Sequence, residues 1–227
     1  MLTQSELFCW SISPKEQTIF LNQPEAFFTV IGGIEDQKTQ IDIYAVDRWI
    51  DCDGKETWQK NEADFVIYPS QVVLGKGEQQ LVSVKWKNRE NIRLEKAFRI
   101  VFKGKSLSNE KDLPPIAASF YVASHRYSEP NISVKDFKIE ACGGEKLLSL
   151  ELVNHGKRHK SLKQEHMELL VTFRNHVGQM QTMALTESDF GNKLEACIDV
   201  LAEMSRYIRI PWLEGYPQEI QSVEVLK

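Results

Sequence analysis

Through much of the chain, apolar residues recur at every second position in short runs, and each run ends at a glycine, a proline or a charged cluster. Period two puts alternate side chains on one face of an extended strand, so these runs predict half-buried β-strands. Residues 65–102 carry the pattern most clearly. Phe65 and Ile67, then Val72, Val73 and Leu74, flank Pro69. Gly75-Lys76-Gly77-Glu78 follows as a turn, since glycine adopts positive φ without steric cost. Residues 81–86 and 97–102 then alternate or nearly alternate, which predicts a strand meander. Upstream, residues 8–12 start a strand, Pro14 interrupts it and residues 18–21 continue it. A proline there predicts an edge or a strand switch, where no ladder hydrogen bond is needed. Residues 26–31 and 40–46 are further strands, and Asp51-Cys52-Asp53-Gly54-Lys55 reads as a polar hairpin loop. Residues 103–112 are charged and read as a solvated loop.

Residues 113–127 form the next strand, with Ile116, Ala118, Phe120 and Val122 on one face and Ala117, Ser119, Tyr121 and Ala123 on the other. Glu129-Pro130-Asn131 breaks the pattern and marks a domain boundary, giving domains 1–128 and 129–227. A second strand series follows at 132–139, 146–153, 167–173, 179–185, 204–212 and 219–226, while 194–204 has some helical character. Short, regularly spaced strands with intervening turns indicate β-sandwiches.

Composition narrows the function classes. The 227 residues suffice for one large or two ordinary domains, and 42% hydrophobic with 26% charged residues is a globular balance. A net charge of −4 argues against nucleic acid as a main partner. No run approaches the roughly 18 apolar residues of a membrane helix. The start lacks the basic and apolar segments of a signal peptide, so the chain reads either as cytoplasmic or as a mature form bearing an added Met1.

No catalytic, metal or cofactor site emerges. The four cysteines, Cys9, Cys52, Cys142 and Cys197, include no C-x-x-C pair. In an oxidising compartment the expected pairs are Cys9 with Cys52 and Cys142 with Cys197, each within one half of the chain; the alternative is four buried free thiols. His155, His159 and His166 lie close in sequence, but H-x-x-x-H aligns ligands on a helix and Asn154-His155-Gly156 reads as a turn. Asp51 and Asp53 lack the other ligands of a calcium loop, and no cysteine has a histidine partner that sequence can place.

Two motifs point further. Phe65-x-Ile67-x-Pro69 followed by Val72-x-Leu74-x-x-Gly77-x-x-Gln80-x-Val82-x-Val84 resembles the signature of PapD-like periplasmic pilus chaperones. Glu95-x-x-Phe98-Arg99-Ile100 is similar to the strand that follows in divergent members. In the second half, residues 148–159, Leu-Ser-Leu-Glu-Leu-Val-Asn-His-Gly-Lys-Arg-His, resemble that family's L-x-L-x-N-x-G-x-x-H hairpin. The resemblance covers most of the chain, with the last forty or so residues matching only in strand pattern.

The resemblance implies an all-β fold of two immunoglobulin-like β-sandwich domains in an L-shaped arrangement. It also implies a non-enzymatic periplasmic chaperone, the signal peptide having been removed, with no cofactor and no metal. Such chaperones bind pilin-like subunits that lack a strand, lend one of their own by donor-strand complementation, and deliver the subunit to an outer-membrane usher. Nucleic acid and membrane insertion are not expected; self-association of the free protein is left open. The lent strand corresponds to residues 113–127, with Ile116, Ala118, Phe120 and Val122 as the subunit-binding positions, although core positions of a sandwich show the same alternation. Family members anchor the client's terminal carboxylate on an arginine just after a first-strand proline and on a cation near the end of the lent strand. Here Lys15 follows Pro14, and His125 or Arg126 stands at the second position. Ser83, where many members have arginine, is a further departure, and Arg99 is assigned a structural ion pair. The competing reading is a structural or adhesive two-domain immunoglobulin-like protein without chaperone activity.

Overall fold

The computed structural model describes residues 10–33, 38–88, 92–124, 129–142, 144–162, 168–186, 189 and 199–226. The chain forms two compact units, Met1–Trp49 with Thr57–His125, and Ile50–Glu56 with Arg126–Lys227.

The first unit is built of β-strands in two sheets. β1 (Trp10–Ser13), β3 (Glu25–Gly32), β8 (Gln79–Trp86) and β6 (Phe65–Tyr68) form one sheet in the order β1-β3-β8-β6. The other has the order β2-β10-β9-β4-β5, with β2 (Glu16–Phe20), β10 (Ile116–Ala123), β9 (Lys96–Ser106), β4 (Thr39–Ile50) and β5 (Glu56–Lys60), and β7 (Gln71–Leu74) adds to β4. The chain changes sheet at Pro14, between β1 and β2, as the sequence predicts. It changes sheet again at Pro69, between β6 and β7, so residues 65–102 are not a meander. β6 and β8 pair with each other while β7 and β9 belong to the opposite sheet. Both switches fall at prolines, where a strand can leave its sheet without breaking a ladder bond.

Alternation does what period two requires. In β3, Ala26, Phe28, Val30 and Gly32 are buried, and in β8 so are Val82, Val84 and Trp86. Between the sheets an aromatic cluster forms, with Phe65 centred 4.9 Å from Phe98, 5.0 Å from Trp86 and 5.8 Å from Phe120. Phe28 extends it to Phe102 and Phe120 at 5.7 and 6.1 Å. Gly32 is required by a close backbone approach, because a Cβ there would lie 1.9 Å from the Gly75 carbonyl oxygen.

Residues 103–112 are only partly the loop that their charge suggests. β9 continues to Ser106, and the hairpin is held by a bridge of Lys105 to Asp112 and by Leu113 N donating to Gly104 O at 2.9 Å.

The second unit has β11 (Ile132–Cys142), β12 (Glu145–Asn154) and β17 (Ser205–Pro211) in one sheet. β15 (Met180–Leu185), β14 (Glu168–Arg174) and β18 (Ile220–Leu226) form another, and β13 (Lys160–Ser161) pairs with β16 (Asp199–Val200). Asp199 and Val200 are therefore strand rather than helix and residues 201–204 form a turn; residues 194–198 lie outside the described residues. Leu148, Leu150 and Leu152 point into a core with Leu169, Val171 and Ile208. Asn154 continues the same parity and is fully buried. Its Oδ1 accepts from Asn131 N at 3.1 Å and Gly156 N at 2.9 Å, and its Nδ2 donates to Arg158 O at 2.7 Å and Val200 O at 3.1 Å. Gly156 is equally constrained, since a Cβ there would stand 2.5 Å from Glu129 O. The N-x-G motif is thus a backbone clamp.

The 50–56 hairpin tip groups with the second unit, where Cys52 O accepts from Tyr207 N at 2.7 Å. Cys52 carries a free, exposed thiol, which corrects the pairing expected for it. Cys9, Cys197 and the Cys142 side chain lie outside the described residues.

Candidate functional site

β10 is positioned by two neighbours of different reach. β9 pairs with it antiparallel along its whole length, from Ile116 opposite Phe102 to Val122 opposite Lys96. β2 runs parallel on the other side but starts only at Ser119, opposite Glu16, and ends at Ala123, opposite Phe20. Ser119 N donates to Lys15 O at 2.9 Å, so the N–H groups of odd-numbered residues in β10 point toward the β2 side. One step earlier, Ala117 aims its N–H and C=O at the same side, where no described strand lies. Over Ile116–Ala118 the edge of this sheet is open among the described residues.

The four positions assigned to client contact divide sharply. Ala118, Phe120 and Val122 are all 0% exposed and belong to the core of the first unit, Phe120 against Phe28 and Phe65. Ile116 is half-buried, and with half-buried Leu113 it supplies the accessible apolar side chains at this end of the strand. Of the anchor candidates, Lys15 is exposed and uses its carbonyl to start the β2–β10 pairing. His125 and Arg126 lie outside the described residues, as do residues 125–127 of the expected lent strand.

The tertiary structure instead brings two arginines to one face of this sheet. Arg99 stands opposite both Ser119 and Val46, and Arg48 lies two residues beyond Val46 on β4. Both therefore share the face of Ala117, Ser119 and Tyr121. The half-buried Arg99 donates from Nη1 to Ser119 Oγ. Arg48, 3% exposed, donates from Nη1 to the Tyr121 hydroxyl at 2.9 Å. A buried guanidinium is costly unless it is well hydrogen-bonded, and its planar fork suits a carboxylate. Sequence reasoning gave Arg99 only a structural role and missed Arg48. The available signal was a cation midway between Val46 and Ile50 at period two, in a strand whose burial moves, after Ala45, to Val46, Arg48 and Ile50.

A cavity of about 890 Å³ runs along β4, lined among others by Tyr44, Trp58, Lys60, Glu62, Phe65 and Lys103. Lys60 and Glu62 form an ion pair there, and their mutual hydrogen bond raises the lysine pKa and lowers that of the glutamate. Both shifts hold the pair ionised, whereas acid–base chemistry near neutrality needs shifts the other way. In the second unit His155 Nε2 meets Ser133 Oγ at 3.0 Å; His166 lies outside the described residues. Among the described residues no three metal-binding side chains converge.

No family model matches the sequence, and no curated protein is similar to it in sequence. Solved structures are similar in fold. A chain of the CsuC–CsuE chaperone–tip adhesion subunit pre-assembly complex, from the archaic chaperone-usher Csu pili of Acinetobacter baumannii, aligns over 96% of this chain and 96% of its own, with TM-score 0.60 and 10% identity. The class 5 fimbriae chaperone CfaA aligns over 95% of this chain and 98% of its own, with TM-score 0.54 and 14% identity. A chain of the Salmonella enterica SafA pilin–SafB chaperone complex aligns over 91% and 86%, with TM-score 0.54 and 10% identity. At such identities the likeness is one of fold: this chain has the two-unit β-sandwich fold of the chaperones of chaperone–usher pili.

Proposed function

We propose that this protein is a non-enzymatic chaperone that holds a strand-deficient, pilin-like subunit by adding β10 to the subunit's open sheet. The observation that carries the reading is the edge of β10 over Ile116–Ala118, open among the described residues, in a fold shared with pilus chaperones. Main-chain groups at a sheet edge recruit an extended segment, and neighbouring apolar side chains fill its pockets. An unpaired edge beside an exposed core aggregates, so covering both keeps such a subunit soluble. Ile116 and Leu113 supply apolar contact, and Ala117 supplies main-chain contact. Ala118, Phe120 and Val122 act from beneath, holding β10 against the core. Arg99, half-buried on the face of Ser119, offers a cation for a subunit's terminal carboxylate in place of Lys15, while Arg48 stays buried against Tyr121. Periplasmic location and transfer to an outer-membrane usher follow from the same reading.

The test is co-expression with pilin-like subunits from the same gene cluster, followed by size-exclusion chromatography. Ala117→Pro removes the N–H that faces the open side while leaving the β9 ladder intact, a position where a strand tolerates proline. Losing that bond, with the ring's bulk, weakens the complex by roughly tenfold or more, about 1.4 kcal/mol. A folded Ala117→Pro protein that binds subunits as tightly as wild type refutes strand addition at this edge, and failure of every candidate subunit to form a one-to-one complex with wild type refutes the chaperone reading itself.

A further inference from the structure

The open edge of β10 is bounded on both sides. Toward the C-terminus, the next N–H on the same side belongs to Ser119, and Lys15 O already accepts it. Toward the N-terminus, the next position is Pro115, preceded by Pro114, and neither has an N–H to give. The backbone is also irregular there. From Asp112 opposite Lys105 to Ile116 opposite Phe102, β10's side advances four residues while β9 advances three. One residue is therefore extra over residues 113–115, which belong to no strand, so the pairing with β9 is interrupted at Pro114-Pro115 and the edge there is not a continuous ladder. Both prolines are exposed. Between these limits Ala117 offers a single N–H that no described strand takes up.

We infer that Pro114-Pro115 is an edge guard: it confines strand addition on β10 to one residue's main chain and so keeps free copies of this protein from pairing edge to edge. An edge that must stay open for a client is also a template for a second copy of itself. With one N–H available, a ladder between two copies gains too little to offset the cost of association. A client can still bind when it adds an apolar groove for Ile116 and Leu113 and a charge for Arg99. The guard selects partners with an open core and rejects bare strands. Its purpose rests on the strand-lending reading, whereas its test uses the free chain alone.

The experiment is sedimentation velocity of the full chain across a concentration series, for wild type, Pro114→Ala/Pro115→Ala, and that double variant carrying Ala117→Pro in addition. The guard predicts a monomeric wild type, a double variant whose mass shifts toward the dimer as concentration rises, and a return to monomer on adding Ala117→Pro. A folded double variant that stays monomeric overturns the guard, and so does association that Ala117→Pro leaves unchanged. Amide exchange of the wild type gives an independent readout should the double variant fail to fold. Ala117 exchanges at least roughly tenfold faster than Ser119 if its N–H is uncovered, and equal protection of the two overturns the proposal. Each of these results stands whether or not any client subunit binds.

Discussion

Replacing Asn154 with alanine tests whether the N-x-G motif is the clamp that the geometry describes. The side chain is fully buried and uses all four of its visible bonding positions, accepting from Asn131 N and Gly156 N and donating to Arg158 O and Val200 O. Each such bond contributes about 1 kcal/mol net, and a buried group left without a partner costs about 1–3 kcal/mol. Partial relaxation and water entry recover some of this, so the expected loss is about 3–5 kcal/mol, a large share of the roughly 5–15 kcal/mol that stabilises a domain. Asn154→Asp separates shape from chemistry: it keeps the acceptor for Asn131 and Gly156 but turns an oxygen toward the carbonyls of Arg158 and Val200. It should lose about 2 kcal/mol or more despite its equal size. Native-state hydrogen exchange is the appropriate assay, because a chain of two units need not unfold in one step. Protection should fall at β12, β17 and the 131 and 156 amides, and hold at β3 and β8 in the first unit. A loss below about 1 kcal/mol in the alanine variant, or one spread equally over both units, would refute the clamp.

Two further substitutions and one titration check the rest. Phe120→Ala should destabilise the first unit by about 3–5 kcal/mol, as expected for an aromatic removed from a close-packed core, whereas Ile116→Ser should leave the urea midpoint of that unit nearly unchanged and weaken subunit binding. If the two variants lose stability equally, the division of the strand into core and contact positions is wrong. Glu140 is hydrogen-bonded by Ser149, Lys138 and Arg209, which depress its pKa from 4.5 to about 2. A depressed carboxylate stabilises the fold above its unfolded pKa, and that contribution is lost as pH falls from about 4.5 through about 2. Denaturant midpoints measured from pH 5 to 2 should therefore fall less steeply in Glu140→Gln than in wild type, and parallel curves would exclude the role.

The amino-acid sequence by itself determined the β class, the positions of most strands, and the turns at residues 51–55 and 75–78. Those are local properties: period-two burial, glycine at positive φ, proline where a ladder can be broken. It also carried Leu148-x-Leu150-x-Leu152-x-Asn154-x-Gly156, because alternation alone puts the asparagine on the core side at a strand's end. What alternation cannot do is choose a sheet. Residues 65–102 read as one meander, yet Pro69 sends β7 across the sandwich, and only pairing with β4, some thirty residues earlier in the chain, decides that. Nor can alternation say which face of β10 meets the core, since every residue from Ala118 to Ala123 is buried. The contact role of Phe120 and its core role look alike in sequence for that reason. The pairing of Arg48 with Tyr121, 73 residues apart, and the place where β2 stops along β10 are matters of long-range register. Register is set by which distant strands pair, and only the folded chain supplies that.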